Sequence, residues 1–192
     1  MTMTIAELQA RLAPLIGVAH TLPVTLNKGL TGILLEKLTG IPQTSNCLDC
    51  TDGELKTFPV KRLRGGQLVP KESLAVTMLS TEELRASEYE AARCCKKMAR
   101  MLVVPYLREG DAVKFLGATL LDATVEAHAP IYAALKADYT EIRRRYLEDG
   151  TLKSEIGEFL QSRTKGAGHG STSRAFYLRP EFMKRFVRIN VE

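Results

Sequence analysis

The 192-residue sequence lacks an apolar run long enough to span a membrane. It also lacks the order of a signal peptide, in which basic residues precede an apolar stretch, and it contains no internal repeat or low-complexity tract. Its hydrophobic fraction of 45% is enough for one folded core. We therefore expect a cytoplasmic protein without membrane contact, folded as a single domain over residues 1–192.

Cysteine is scarce and irregularly spaced. The four cysteines are Cys47, Cys50 and the adjacent pair Cys94 and Cys95, a pattern that excludes a secreted disulfide scaffold. Structural zinc sites usually repeat a C-x2-4-C knuckle, and adjacent cysteines chelate a tetrahedral metal poorly. The pattern favours reduced thiols over zinc.

Positive charge is concentrated near the C-terminus. The chain has a formal charge of +5, and residues 161–192 carry seven basic residues against two acidic ones, which is the entire excess. A patch of one sign attracts phosphate backbones. Aromatic residues alternate with these charges, namely Phe176, Tyr177, Phe182 and Phe186. The glycine-rich stretch 165–173 lacks the ending of a Walker loop, so we expect it to contact DNA and not a nucleoside triphosphate.

The segment 46–60, N-C-L-D-C-T-D-G-E-L-K-T-F-P-V, contains a candidate hydrolytic site. Side chains alternate along a strand, so Glu54 and Lys56 lie on one face and Leu55 on the other. A tight turn at Asp52-Gly53 would bring Asp49 towards Glu54. Two carboxylates suit Mg²⁺, and a neighbouring ammonium can position a water at a phosphodiester. The alternative is an exposed charged hairpin, since such residues are common in turns.

Periodicity and capping signals predict the remaining elements. Helices are predicted from Thr4 to Pro14, Lys28 to Leu38, Ser80 to Lys96 or Lys97, Pro130 to Asp149, and Pro180 to Val187. The strand after Asp52-Gly53 is expected to form a hairpin with Ser73–Leu79, and the other predicted strands are Met101–Tyr106 as an edge strand, Ala112–Leu121, Gly157–Arg163 and Phe176–Leu178.

These motifs together resemble the MutH family of DNA endonucleases and its relatives among restriction enzymes. The resemblance rests on the K-G-x-x-G-x-L-L-E helix followed by D-x4-E-L-K-T-x-P-V, on K-K-M-A-R-M-L-V-V-P, and on F-L-Q-S-R-T-K with R-A-F-Y-L-R-P-E-F, and it covers most of residues 26–188. It implies an α/β fold with a mixed central sheet flanked by helices, as in restriction endonucleases, with two lobes around a DNA cleft. The catalytic lobe would span about 1–95, and the central strands and DNA-reading arm about 96–192.

The resemblance also implies residue roles. Asp49 and Glu54 would bind Mg²⁺, for which Mn²⁺ would substitute, and Glu36 would add a carboxylate beside the metal. Lys56 would assist the attacking water, with Lys97, or Lys96 in a shifted register, close by. The DNA-binding positions would be Lys28, Arg163, Lys165, Arg174 and Tyr177. Asp49 is closer to Glu54 than in MutH itself, which leaves Asp52 as an alternative ligand, although Asp49 is preferred.

The function expected from this resemblance is Mg²⁺-dependent cleavage of double-stranded DNA at a short site. The family suggests GATC, with sensitivity to adenine methylation. A repair nickase activated by a MutL-like protein and a stand-alone restriction enzyme both stay open. A catalytically inactive DNA-binding module of the same fold is the alternative, against which the joint presence of Asp49, Glu54 and Lys56 argues.

Overall fold

The computed structural model describes residues 3–23, 29–42, 46–165 and 173–190. The helices are α1 (Ile5–Leu12), α2 (Leu30–Thr39), α3 (Thr81–Ala86), α4 (Arg93–Ala99), α5 (Ala129–Asp149) and α6 (Pro180–Phe186). The strands are β1 (Ala19–Thr21), β2 (Glu54–Arg62), β3 (Leu68–Pro70), β4 (Leu74–Leu79), β5 (Arg100–Glu109), β6 (Ala112–Phe115), β7 (Thr119–Asp122), β8 (Leu160–Thr164) and β9 (Arg174–Leu178). Lys28 and residues 166–172 of the predicted DNA-contacting loop lie outside the described residues. No helix within the described ranges is long and apolar enough to cross a membrane.

Six strands form a mixed central sheet, in the order β1-β6-β5-β2-β3, with β7 also paired to β5. Its only parallel pair in the described chain joins β2 to β5, from Glu54 opposite Met101 to Val60 opposite Leu107. Helices cover both faces. The predicted α/β fold with a mixed central sheet flanked by helices is confirmed, while the two-lobed DNA cleft and the division near residue 95 stay predictions.

A second sheet of three antiparallel strands, β4-β9-β8, corrects the predicted hairpin. The partner of β2 across the basic turn is the short β3, which pairs over Val60–Arg62. The Ser73–Leu79 segment instead forms β4 and pairs with β9, which lies about a hundred residues later in the chain. A hairpin was predicted because the two segments are neighbours in sequence, whereas the pairing of β4 depends on a distant strand.

Two further predictions were wrong at β5 and at the helix after Ser80. The strand predicted to lie at an edge is the centre of the sheet, and Pro105 is accommodated where its neighbour changes from β7 to β6. The Pro105 carbonyl accepts from the Leu116 N–H, on the side of β5 where β7 ends and β6 begins. Proline has no N–H, and none is needed here because neither β7 nor β6 pairs with Pro105. The predicted helix from Ser80 to Lys96 or Lys97 is divided into α3 and α4.

Hydrophobic side chains pack against both faces of the central sheet. Along β5, Met101 and Val103 join the core beneath α4, α5 and the second sheet, while Leu102 and Val104 join the core beneath α1 and α2. All four residues are buried. A strand buried on both faces needs a continuous apolar run, which is why M-L-V-V was recognisable in the sequence.

Asp138 of α5 connects the long helix to the second sheet. Its buried carboxylate accepts hydrogen bonds from the backbone N–H groups of Glu158 (2.7 Å), Phe159 (2.7 Å) and Leu160 (2.8 Å). Gly157 precedes them at φ 87°, and an added Cβ would lie 2.0 Å from the Leu160 carbonyl oxygen. The tight loop into β8 therefore requires both a glycine and the carboxylate that satisfies its amides.

We predict that Asp138→Ala lowers the free energy of unfolding by about 3–5 kcal/mol, because three backbone amides, two of them buried, lose a charged acceptor. Denaturant unfolding measures this change. Asp149→Ala is the matched control on the same helix, since the described hydrogen bonds of the exposed Asp149 come from Thr151, two residues away. Its expected cost is below about 1 kcal/mol. Equal costs for the two variants would contradict the role assigned to Asp138.

Candidate active site

The candidate site begins at a tight turn that leads into β2. The Cys50 N–H donates to the Gly53 carbonyl at 2.9 Å, which closes the turn at Asp52-Gly53. The carboxylate of Asp49 then accepts from the Leu55 N–H at 3.1 Å. The predicted turn is therefore present, and it places Asp49 beside the first residues of β2.

Glu54, the first residue of β2, is fully buried and receives two ammonium groups on one oxygen. Lys56 Nζ donates to Glu54 Oε1, and Lys97 Nζ from α4 donates to the same oxygen at 2.6 Å. Leu55 points into the core on the opposite face, as alternation along the strand predicted. The other oxygen, Glu54 Oε2, is buried and has no hydrogen-bond partner among the described residues.

Asp49 completes this cluster. Its Oδ2 lies 3.8 Å from Lys56 Nζ, and its side chain is about one-third exposed. Asp49, Glu54, Lys56 and Lys97 are thus brought together, although 48 residues separate the first from the last. We refer to these four residues as the charged cluster.

Asp52, the alternative ligand, is engaged elsewhere. Its Oδ1 accepts from the Ile5 N–H at 2.7 Å and its Oδ2 from Arg100 Nη1 at 2.5 Å. Both carboxylate oxygens therefore have protein partners on the side of α1 and β5.

A cavity of about 740 Å³ lies beside the charged cluster, along the edge of β2. On the edge of β2 that faces away from β5, β3 pairs only with the last three residues. The first part of this edge therefore has no strand partner among the described residues. Lys56 lines the cavity and also donates to Glu54, so it joins the two features. One wall of the cavity comes from α2 and the other from the second sheet.

The α2 wall consists of Gly29, Gly32 and the half-buried Glu36, which recur at helical spacing on one face. Gly32 faces β2, and an added Cβ would lie in ordinary van der Waals contact with Thr57 Oγ1, at 3.7 Å. The helix ends at Gly40, which adopts the left-handed conformation of a glycine C-cap. Glu36 therefore faces the same cavity as Lys56, not open solvent.

The opposite wall presents Arg163, Lys165 and Tyr177. The Arg163 guanidinium lies 5.9 Å from the centre of the Tyr177 ring and 3.4 Å from Ser73 Oγ, which also accepts from Gln161 Nε2 at 2.9 Å. Sequence reasoning missed Ser73 and the buried Gln161. A buried glutamine within a predicted strand was the available signal, because such an amide needs a partner.

Other residues of the basic C-terminal segment do not line this cavity. Arg174 is not among the residues that line the cavity, and its Nη1 lies 3.4 Å from both Ser162 oxygens. Phe176 and Phe182, two of the aromatics that alternate with charges in this region, are core residues. Arg179 binds the carbonyls of Ser154, Ile156 and Gly157 and supports the loop before β8.

The four cysteines are free thiols in the described structure. Burial, followed by the charges of Asp49, Asp52 and Glu54, raises the pKa of Cys50 to about 11. Burial also raises the pKa of Cys94 and of Cys95. A raised pKa disfavours the thiolate, the form in which cysteine attacks or binds metal.

The donor set can be tested against a divalent cation. No three His, Cys, Asp or Glu side chains converge as an all-protein metal cage within the part of the chain that the structure describes. Mg²⁺ rarely uses such a cage, and it is commonly held by one or two carboxylates together with waters and substrate phosphate. Asp49 and the unpartnered Glu54 Oε2 provide this smaller donor set, so the residues present fit a hard divalent cation.

Comparison with known families agrees with this geometry. The family model described as DNA mismatch repair enzyme MutH matches residues 44–121, a narrower span than the expected 26–188. The matched segment contains the whole charged cluster, whereas α2, β8 and β9 lie outside it. No curated protein sequence matches the chain significantly. The match, together with the mixed α/β fold, supports the assignment of this chain to the MutH-like nuclease family, whose model indicates a DNA endonuclease of the mismatch-repair or restriction type.

Proposed function

We propose that this protein is a Mg²⁺-dependent endonuclease that hydrolyses a phosphodiester bond of double-stranded DNA at a short sequence. The observation that carries the proposal is the convergence of two carboxylates and two lysines at the edge of a cavity with basic side chains on its far wall. Carboxylates bind a hard cation and ammonium groups offset phosphate charge, and phosphodiester hydrolysis requires both.

Asp49 and Glu54 would hold the cation, which supplies an activated water and stabilises negative charge on the phosphoryl oxygens. Mn²⁺ is expected to substitute for Mg²⁺. Glu36 faces the same cavity from α2, where its carboxylate is placed to orient water or to extend the ligand set. Gly29 and Gly32 line the cavity on the same face of α2.

Lys56 is the lysine best placed to contact the scissile phosphate, because it lines the cavity as well as touching Glu54. Lys97 approaches Glu54 from α4 and donates to the same carboxylate oxygen as Lys56. Before substrate binds, both ammonium groups lower the free-energy cost of burying the Glu54 carboxylate. In the reaction they also oppose the negative charge that develops on the phosphoryl group.

The proposed reaction is displacement at phosphorus. The oxygen of a water molecule forms a bond to phosphorus, the bond from phosphorus to the leaving sugar oxygen breaks, and that oxygen takes up a proton. Lys56 and Glu36 are positioned to orient the water, while Asp49 and Glu54 keep the cation in place. The second proton of the attacking water ends on solvent.

The second sheet is the proposed DNA-reading surface. Arg163 and Lys165 can bind phosphate, and a guanidinium can also donate two hydrogen bonds to the edge of a guanine. The position of Arg163 beside Tyr177 and Ser73 restricts its rotamers, which favours a directed contact. Arg174, which does not line this wall, and Lys28, which lies outside the described residues, remain proposed phosphate contacts.

The finer features of the proposal follow from the family resemblance. They are recognition of GATC, sensitivity to adenine methylation, a MutL-like activator and a cytoplasmic location. Digestion of methylated and unmethylated plasmids, followed by mapping of the ends, tests the sequence, the methylation preference and whether one or both strands are cut. Binding of duplex DNA without cleavage under any divalent cation would indicate a DNA-binding module instead.

We predict that Asp49→Asn and Glu54→Gln each lower the cleavage rate at least about 100-fold, because each removes a charge that holds the cation. Rates are measured with plasmid DNA over a Mg²⁺ titration, and DNA affinity is measured in Ca²⁺. Glu109→Gln is the matched control, since this exposed glutamate ends β5 far from the charged cluster. A folded Glu54→Gln variant that cleaves at the wild-type rate would refute the assignment.

We predict that Arg163→Ala weakens binding of the cleaved sequence by about 1–3 kcal/mol if Arg163 contacts a base, and weakens all duplexes equally if it contacts phosphate. Binding of specific and random duplexes at several salt concentrations separates the two cases. Arg144→Ala is the control, because this arginine of α5 pairs with Glu141 and Glu148 on the same helix. Unchanged affinity for both duplexes would exclude Arg163 from the DNA-binding surface.

A further inference from the structure

The position of both carboxylates depends on one four-residue turn. Asp49 precedes the turn and Glu54 follows it, and the turn is closed by the hydrogen bond between Cys50 and Gly53. Asp49 is exposed on one side and accepts a backbone amide on the other. A displacement of the turn would therefore move Asp49 relative to Glu54.

Asp52, at the centre of this turn, ties it to two distant elements. One carboxylate oxygen accepts from the Ile5 N–H at the start of α1, and the other accepts from Arg100 Nη1 at the start of β5. Thr51 adds a second connection, because its N–H donates to the Met3 carbonyl at 2.9 Å. The turn is thus held from both sides through its central residues.

Arg100 extends the connection to a third segment. Its Nε lies 3.2 Å from Asp122 Oδ2 as an ion pair without good hydrogen-bond alignment. Asp122 is fixed in turn by Thr124, whose N–H (2.9 Å) and hydroxyl (2.7 Å) donate to its Oδ1, and these bonds lower the pKa of Asp122. The guanidinium therefore lies between two carboxylates of restricted position.

Close packing leaves the turn little room to shift. A Cβ at Gly53 would lie 2.7 Å from the Arg100 carbonyl oxygen and 2.7 Å from Ile5 Cγ1. The backbone of the turn is therefore packed against Ile5 and Arg100, the two residues that also bind Asp52. Arg100 directly follows α4, so the same contact links the turn to the helix that supplies Lys97.

We propose that Asp52 and Arg100 are positioning residues, whose ion pair fixes the Cys50–Gly53 turn so that Asp49 and Glu54 are presented together to a divalent cation. This inference rests on the proposed function in assigning the cation a catalytic role. Both side chains are about one-third exposed, and such ion pairs contribute little to global stability. The main effect of breaking the pair is therefore expected at the charged cluster and not in the unfolding transition.

The test uses the full chain with Asp52→Asn, which keeps an acceptor for the Ile5 N–H but removes the charge, and Arg100→Ala. Three measurements are made: hydrogen exchange at the Leu55 amide, Mn²⁺ binding by calorimetry without DNA, and the Mg²⁺ dependence of plasmid cleavage. We expect exchange about tenfold faster, Mn²⁺ affinity about tenfold weaker and a similar rise in the Mg²⁺ needed for half-maximal cleavage. The double variant should be no worse than Arg100→Ala alone, because that single variant already loses the ion pairs of Arg100 with both Asp52 and Asp122.

Glu141→Gln is the matched control, since it also neutralises a partly exposed carboxylate paired with an arginine, but on α5. It should behave as wild type in all three measurements. Wild-type exchange and Mn²⁺ affinity in both test variants would overturn the proposal, even if the wild-type protein cleaves DNA. Weaker Mn²⁺ binding in the variants of a protein that never cleaves DNA would uphold the positioning role and reject the nuclease assignment.

Discussion

The buried carboxylate of Glu54 is the constraint on which the site depends. A carboxylate removed from water is costly unless it is paired, and here Lys56 and Lys97 donate to the same oxygen. The two lysines come from different elements. The parallel pairing of β2 with β5 places Glu54 opposite Met101, four residues after Lys97. Backbone register therefore determines which ammonium groups can reach Glu54.

Local sequence signals were sufficient to predict a helix end where the capping residue lies close in the chain to the residues it contacts. The capping box from Thr4 to Glu7, the left-handed Gly40 and the Pro130 to Gly150 helix limits were all predictable in this way. The end of the helix that begins after Ser80 was not predictable in this way. The Ser80 hydroxyl accepts from the Glu83 N–H as predicted, but the Glu83 carboxylate binds the Arg93 N–H at the start of α4. A contact ten residues away thus replaces the second half of the capping box.

The site shows the same division between local and distant information. Alternation along one strand predicted that Glu54 and Lys56 share a face, and an Asp-Gly turn predicted the approach of Asp49. Lys97 was found only through family resemblance, because no spacing relates it to Glu54. The hydrogen bond between Gln161 and Ser73 on the far wall of the cavity was harder still to predict, because it forms only when β4 and β8 flank β9. Phe176 and Phe182, which alternate with charges in the sequence, fill the core, so this region is not a solvated tail.

The charge balance of the cluster connects the proposed chemistry to DNA binding. Two carboxylates and two ammonium groups give the charged cluster a formal charge of zero, so a divalent cation would leave it with an excess of +2. A phosphodiester backbone at the cavity would offset that excess. Each ligand would therefore favour the other, and by linkage the effect must be equal in both directions. In the proposed function Glu54 would then serve two states: the lysines offset its charge before substrate is present, and a bound cation would share that role once DNA is bound, while the phosphate would offset the lysines and the cation.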